Sequence, residues 1–162
     1  MAFYLKYKED YVSYDIAKRL RELGFDWMCR AFYKTWSGWN GNTHLLQANR
    51  GQAFDECDNF SLRQYNSEDE DNVAAPTLQM AIKWIRETYN IQISIGMCYE
   101  KLEDGDGNVI NEFPYYDYVI NNAKNGHSIE GARCAEEFSD PEIATEHAIN
   151  YVIDNYLNKK EI

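Results

Sequence analysis

The chain has 162 residues, 44% of them hydrophobic and 27% charged, which suits one globular domain with its own core and is too apolar for wholesale disorder. Asp and Glu number 27 against 16 Lys and Arg, and the resulting formal charge of −11 repels phosphate backbones, so direct nucleic-acid binding is not expected. The start, MAFYLKYKEDYVS, lacks the long apolar core of an export signal, and no stretch has the roughly 18 apolar residues of a membrane span, so the expected location is the cytoplasm with no membrane attachment. There, Cys29, Cys57, Cys98 and Cys134, scattered singly, are expected to be reduced.

The first predicted element is a helix in VSYDIAKRLRELGF, with Ser13 at the N-cap and Gly24 as the left-handed terminator. Ile16, Leu20 and Leu23 fall on one side of it, and Lys18, Arg21 and Glu22 on the other. The aromatic run MCRAFYKTW, residues 28–36, predicts a strand, and Asn40-Gly41 the turn after it. Signals then weaken: short strands are expected before Phe54 and in NFSLRQY, with NSEDEDN as a charged loop. In APTLQMAIKWIRETYNIQISI, Pro76 suits a first helical turn capped by Ala75 or Thr77. Leu78, Ala81, Ile82, Ile85 and Tyr89 share one helix face, Met80 and Trp84 widen it, and Lys83 and Arg86 are left wet. Asn90 ends that helix and IQISIGMCYEK continues as a strand with Ile91, Ile93 and Ile95 on one side. EDGDGNV is a hairpin turn, after which Pro114 should divide VINEF from YYDYVIN or bulge an edge. SIEGARCAEEF is ambiguous. The last helix opens at Ser139 or Asp140 with Pro141 in its first turn; Ala148, Ile149, Val152 and Tyr156 form its buried stripe, and His147 lies on the wet side. The expected fold is therefore one α+β domain spanning 1–162, with three helices packed on a mostly antiparallel or mixed sheet of four to six strands.

Chemistry-bearing motifs are sparse. IAKRLRELGF has the spacing of a first helix-turn-helix helix, but a strand pattern follows where the recognition helix should be. DGDGN starts like a calcium loop, yet its sixth and twelfth positions are Val109 and Tyr115 instead of Gly and Glu. His44, His127 and His147 have no paired spacing, there is no C-x-x-C, and no Gly-rich phosphate loop is present, so neither a metal nor a cofactor is expected. The strongest lead is aromatic: Trp36 and Trp39 beside a turn, and Tyr115 and Tyr116 near a sheet edge. Strand alternation puts Tyr116 and Tyr118 on one face and Tyr115 on the other. These rings suit core packing or a contact patch.

The segments YVSYDIAKRLRELGFD, CRAFYKTW and APTLQMAIKWIRETYNIQI, with the terminal helix rich in Ala, Ile and Tyr, cover about half of the chain. Together they resemble a group of short uncharacterised proteins from gut Bacteroidetes, their phages and their mobile elements. Those proteins share an IAKxLxExGF helix and an APTLQxAxKWLRExxxIxI unit, and this chain has Ile85 where Leu is usual. The resemblance brings no activity, cofactor or catalytic residue; it implies a small accessory protein of phage or mobile-element origin. The expected function is a non-catalytic protein-interaction factor with an unknown protein partner, anchored by Trp36, Trp39, Tyr115 and Tyr116, with homo-oligomerisation left open. Two alternatives stand beside it. One is a small enzyme whose cleft gathers scattered carboxylates, Cys or His; the other is an acidic nucleic-acid mimic that uses carboxylates such as Glu68 to Asp71.

Overall fold

The structure, a computed structural model, describes residues 10–38, 41–48, 57–63, 72–133 and 137–158. Helices and antiparallel strands alternate in the α+β arrangement expected, with six strands among the described residues. Instead of one sheet, they form two three-stranded sheets, one in each of two compact units, Met1–Ala81 and Ile82–Ile162.

In the first unit, α1 (Tyr14–Glu22) is followed by β1 (Ala31–Gly38), β2 (Gly41–Ala48), α2 (Asn59–Arg63) and β3 (Val73–Ala75). Ser13 holds the N-cap position without closing the cap through its side chain. The other end of α1 is a complete Schellman closure. Gly24 turns left-handed at φ 94°, its N–H donates to the Arg21 carbonyl (3.0 Å), and the Phe25 N–H donates to Leu20 (2.9 Å). Phe25 and Leu20 are both buried, supplying the apolar contact that usually accompanies this motif. The sheet order is β2-β1-β3, with β1–β2 paired from Ala31–Ala48 to Gly38–Gly41. Val73, Ala74 and Ala75 are wholly buried, and α1 packs on this short strand. NFSLR, expected as a strand, is the helix α2. Asn59 at its start explains why: its amide donates to the Phe25 carbonyl (2.8 Å) and its carbonyl oxygen accepts from the Ala74 N–H (3.0 Å). The side chain thus closes the outer edge of β3, which a longer strand would otherwise have to do.

The helix α3 (Leu78–Tyr89) is capped by Thr77, whose hydroxyl accepts from the Met80 N–H at 3.2 Å. Pro76 therefore precedes the cap instead of sitting in the first turn. Ala81, Trp84 and Ile85 are buried, Lys83 and Arg86 are exposed, and Asn90 ends the helix at φ 58°. Trp84 belongs to the centre of the buried side, not to its margin.

In the second unit β4 (Ile91–Glu103) and β5 (Val109–Asn122) form a long hairpin, β6 (Ser128–Arg133) adds to β5, and α4 (Pro141–Val152) packs across β5 and β4. A single π turn, Ile153–Leu157, prolongs α4, and Ile153 joins Ala148, Ile149 and Val152 as a wholly buried residue, whereas Tyr156 is half-buried. Asp140 caps α4, its carboxylate accepting from the Glu142 and Ile143 N–H groups. Pro114 does not divide β5: it faces Tyr99 in a ladder whose register holds from Ile91–Asn122 to Leu102–Asn111. The reason is parity. Tyr116 exchanges backbone hydrogen bonds with Phe138 (2.7 and 2.9 Å) on the side away from β4, so Pro114, two residues earlier, turns its nitrogen to that same side, beyond the reach of β6.

Candidate functional site

The β4–β5 hairpin carries apolar residues beyond the part that α4 covers. Its register puts Ile93 opposite Ile120, Ile95 opposite Tyr118, Met97 opposite Tyr116 and Tyr99 opposite Pro114, all on one face. The other face carries Gly96 opposite Asp117, Cys98 opposite Tyr115, Glu100 opposite Phe113 and Leu102 opposite Asn111. Near its base the first face is core: Ile93, Tyr118 and Ile120 are buried, and the Tyr118 ring lies against His147 and Tyr151 of α4.

Farther out both faces are wet and apolar at once. Met97 and Tyr99 are each 54% exposed on the first face; Leu102 and Phe113 are 52% and 49% exposed on the second. Val109 and Ile110 extend the patch toward the turn. Single exposed apolar residues are ordinary, but here they recur on both faces of one hairpin, close together in its ladder.

The turn holds this ribbon in register. Asp104 Oδ1 accepts from the Asp106 and Asn108 N–H groups (3.0 and 2.8 Å), and Gly107 takes φ 81°. The hydrogen bond from the Asn108 side chain, followed by those from the turn's backbone, lowers the Asp104 pKa below the ordinary carboxylate value. The DGDGN stretch thus spends its first carboxylate on its own backbone. Among the described residues, no group of three His, Cys, Asp or Glu is placed to hold a metal ion.

The sequence-derived candidates divide. Tyr115 and Tyr116 stand half-buried on opposite faces at the base of the exposed zone, as alternation required, while Tyr118 is core. Trp36 pairs with Thr43 in the β1–β2 ladder; its side chain, and Trp39 altogether, lie outside the described residues, as do Glu68 to Asp71. The Tyr115 phenol is raised above its ordinary pKa, first by desolvation and then by Cys98, Glu137 and Asp117 around it. Burial and these neighbours thus favour the neutral phenol of Tyr115. His147, expected on the wet side of α4, instead sets Nδ1 3.1 Å from the Tyr118 hydroxyl and packs on the Phe138 ring. Sequence reasoning also missed Met97, Tyr99, Leu102 and Phe113, although apolar residues at both parities around EDGDGN were there to be seen. No family model, curated protein or solved structure matches the chain.

Proposed function

We propose that this is a non-catalytic interaction protein whose partner is another protein, gripped by the outer half of the β4–β5 hairpin. The observation that supports this is the pair of exposed apolar faces carrying Met97 and Tyr99 on one side and Leu102 and Phe113 on the other. Aromatic and Met side chains in such positions supply most of the energy at protein interfaces, and Tyr115 and Tyr116 flank them. The surrounding carboxylates would steer the approach of a basic partner. An accessory role in the cytoplasm, in a phage or mobile element, is the setting that the sequence resemblance suggests for it.

The test is capture from lysate of the native cell with the wild-type protein and with a Tyr99→Ser/Phe113→Ser variant, each with and without nuclease. A near-stoichiometric, nuclease-resistant partner, lost by the variant while its thermal unfolding is unchanged, is the expected result. Equal capture by both proteins would remove the hairpin from the interface. Binding of a small molecule with no protein partner would favour the enzyme alternative.

A further inference from the structure

The same hairpin has an edge as well as faces. In the sheet order β4-β5-β6, β4 is the outer strand, and none of the described strands pairs with its far side. The parity that frees Pro114 also says which groups that side presents. Tyr116 turns its N–H and C=O away from β4, so Met97 opposite it turns its own outward, as do Ile93, Ile95, Tyr99 and Lys101. At the base this row is closed locally: the Gln92 amide donates to the Ile93 carbonyl (2.6 Å), and Arg86 donates in turn to Gln92 (3.4 Å). Farther along, Met97, Tyr99 and Lys101 have no such plug among the described residues. Long edges of this kind are usually blunted by Pro, bulges, charged side chains or cover, and here Glu100 and Lys101 add charge without closing the backbone row. Here the register shift comes only at Leu102–Glu103, beyond the open stretch.

Charge indicates the occupant. Residues 97–117 carry Glu100, Glu103, Asp104, Asp106, Glu112 and Asp117 against one cation, Lys101, which is engaged by Glu112 at 3.7 Å. A second copy would bring the same acidic tip and another formal charge of −11, so the edge is poorly matched to itself. A strand laid beside β4 must also alternate. Its residues on one face would meet Met97 and Tyr99, and those on the other face would meet Glu100 and the exposed Leu102.

We propose that the edge of β4 from Ile95 to Lys101 accepts an extended segment of a partner protein as an added strand, and that this segment alternates apolar residues with Lys or Arg. This rests on the hairpin being the contact surface and adds how it is used: backbone hydrogen bonds give affinity, and the two unlike faces give the sequence preference. Basic side chains over Glu100 and the tip carboxylates make the association weaken with added salt.

The probe is a fluorescein-labelled peptide alternating Val and Lys over about nine residues, long enough to cover a typical strand. It is titrated into the full chain and followed by anisotropy. Two further peptides carry N-methyl groups on every Val amide or on every Lys amide, and a fourth replaces Lys by Glu. Saturable one-to-one binding is expected for the parent, with loss of about tenfold or more for one methylation phase only, because a bound strand turns alternate amides toward β4. The Glu peptide should not bind. Met97→Pro should weaken binding comparably, since Met97 turns its N–H outward and the β4–β5 ladder does not use it. Parent and both methylated peptides binding equally would overturn strand addition; if Tyr99→Ser then weakened all three, the hairpin reading would survive without it. Absence of peptide binding also overturns the proposal, as does a dimer in peptide-free protein that Met97→Pro dissolves. The hairpin reading falls separately, if Tyr99→Ser/Phe113→Ser leaves capture of the cellular partner unchanged.

Discussion

Asn59→Ala should be among the most damaging single substitutions in the first unit, although the residue lies in a five-residue helix far from any regular core pattern. Asn59 is 5% exposed and joins two buried backbone groups, the Phe25 carbonyl beyond α1 and the Ala74 N–H on the outer edge of β3. Truncation leaves both without this partner in a place water does not reach. Each orphaned group costs about 1–3 kcal/mol, so a loss of about 2–4 kcal/mol is expected after partial relaxation. For a unit of this size that is a fall of about 10 °C or more in unfolding temperature. Asn59→Asp separates the two bonds. Its carboxylate can still accept from Ala74 but sets a negative charge against the Phe25 carbonyl, so the variant should be destabilised at neutral pH. It should recover part of the loss in acid, where a protonated carboxyl can donate as the amide did. Urea unfolding of the three proteins at neutral and mildly acidic pH measures this. A cost below about 0.5 kcal/mol for Asn59→Ala would refute the reasoning, because substitutions away from buried features fall in that range.

Three smaller predictions follow from the same geometry. Thr77→Ala removes the cap of α3 and should cost about 1 kcal/mol, while Thr77→Ser should cost a few tenths, both read by denaturant unfolding. The Cys57 thiol is pushed up to about 11, mainly by burial and secondarily by the Asp58 carboxylate. Its folded pKa is therefore raised, and the stability it contributes is complete below the ordinary thiol range and lost as pH rises through that range to about 11; Cys57→Ala should flatten this alkaline decline. Asp104 has the opposite sign. Its lowered pKa means that its hold on the hairpin turn is present above the ordinary carboxylate range and lost as pH falls below it, so the Asn108 amide resonance should shift in acid and be insensitive in Asp104→Asn.

What could be read from the sequence was what neighbouring residues decide among themselves. Gly24-Phe25 after an amphipathic run spells the end of α1, and Asn90 at left-handed φ spells the end of α3. DGDGN spells a turn because Asp104 can reach its own downstream amides. What could not be read depended on distant partners. Helix α2 exists where Asn59 can reach Phe25 and Ala74, 34 and 15 residues away in the chain. Pro114 is harmless because none of the described strands pairs with that side of β5 at its position, and His147 turns inward because Tyr118 and Phe138 await it. The aromatic lead was half legible: alternation placed Tyr115 and Tyr116 on opposite faces. It could not show that α4 covers the hairpin at Tyr118 and leaves Met97, Tyr99 and Phe113 exposed beyond it.

The most direct test of the hairpin as the contact surface is hydrogen–deuterium exchange on the purified protein with and without its captured partner. Slowed exchange concentrated in residues 95–113, with the α4 amides unchanged, is the expected result. Protection elsewhere in the chain, with the hairpin exchanging as it does alone, would contradict the account.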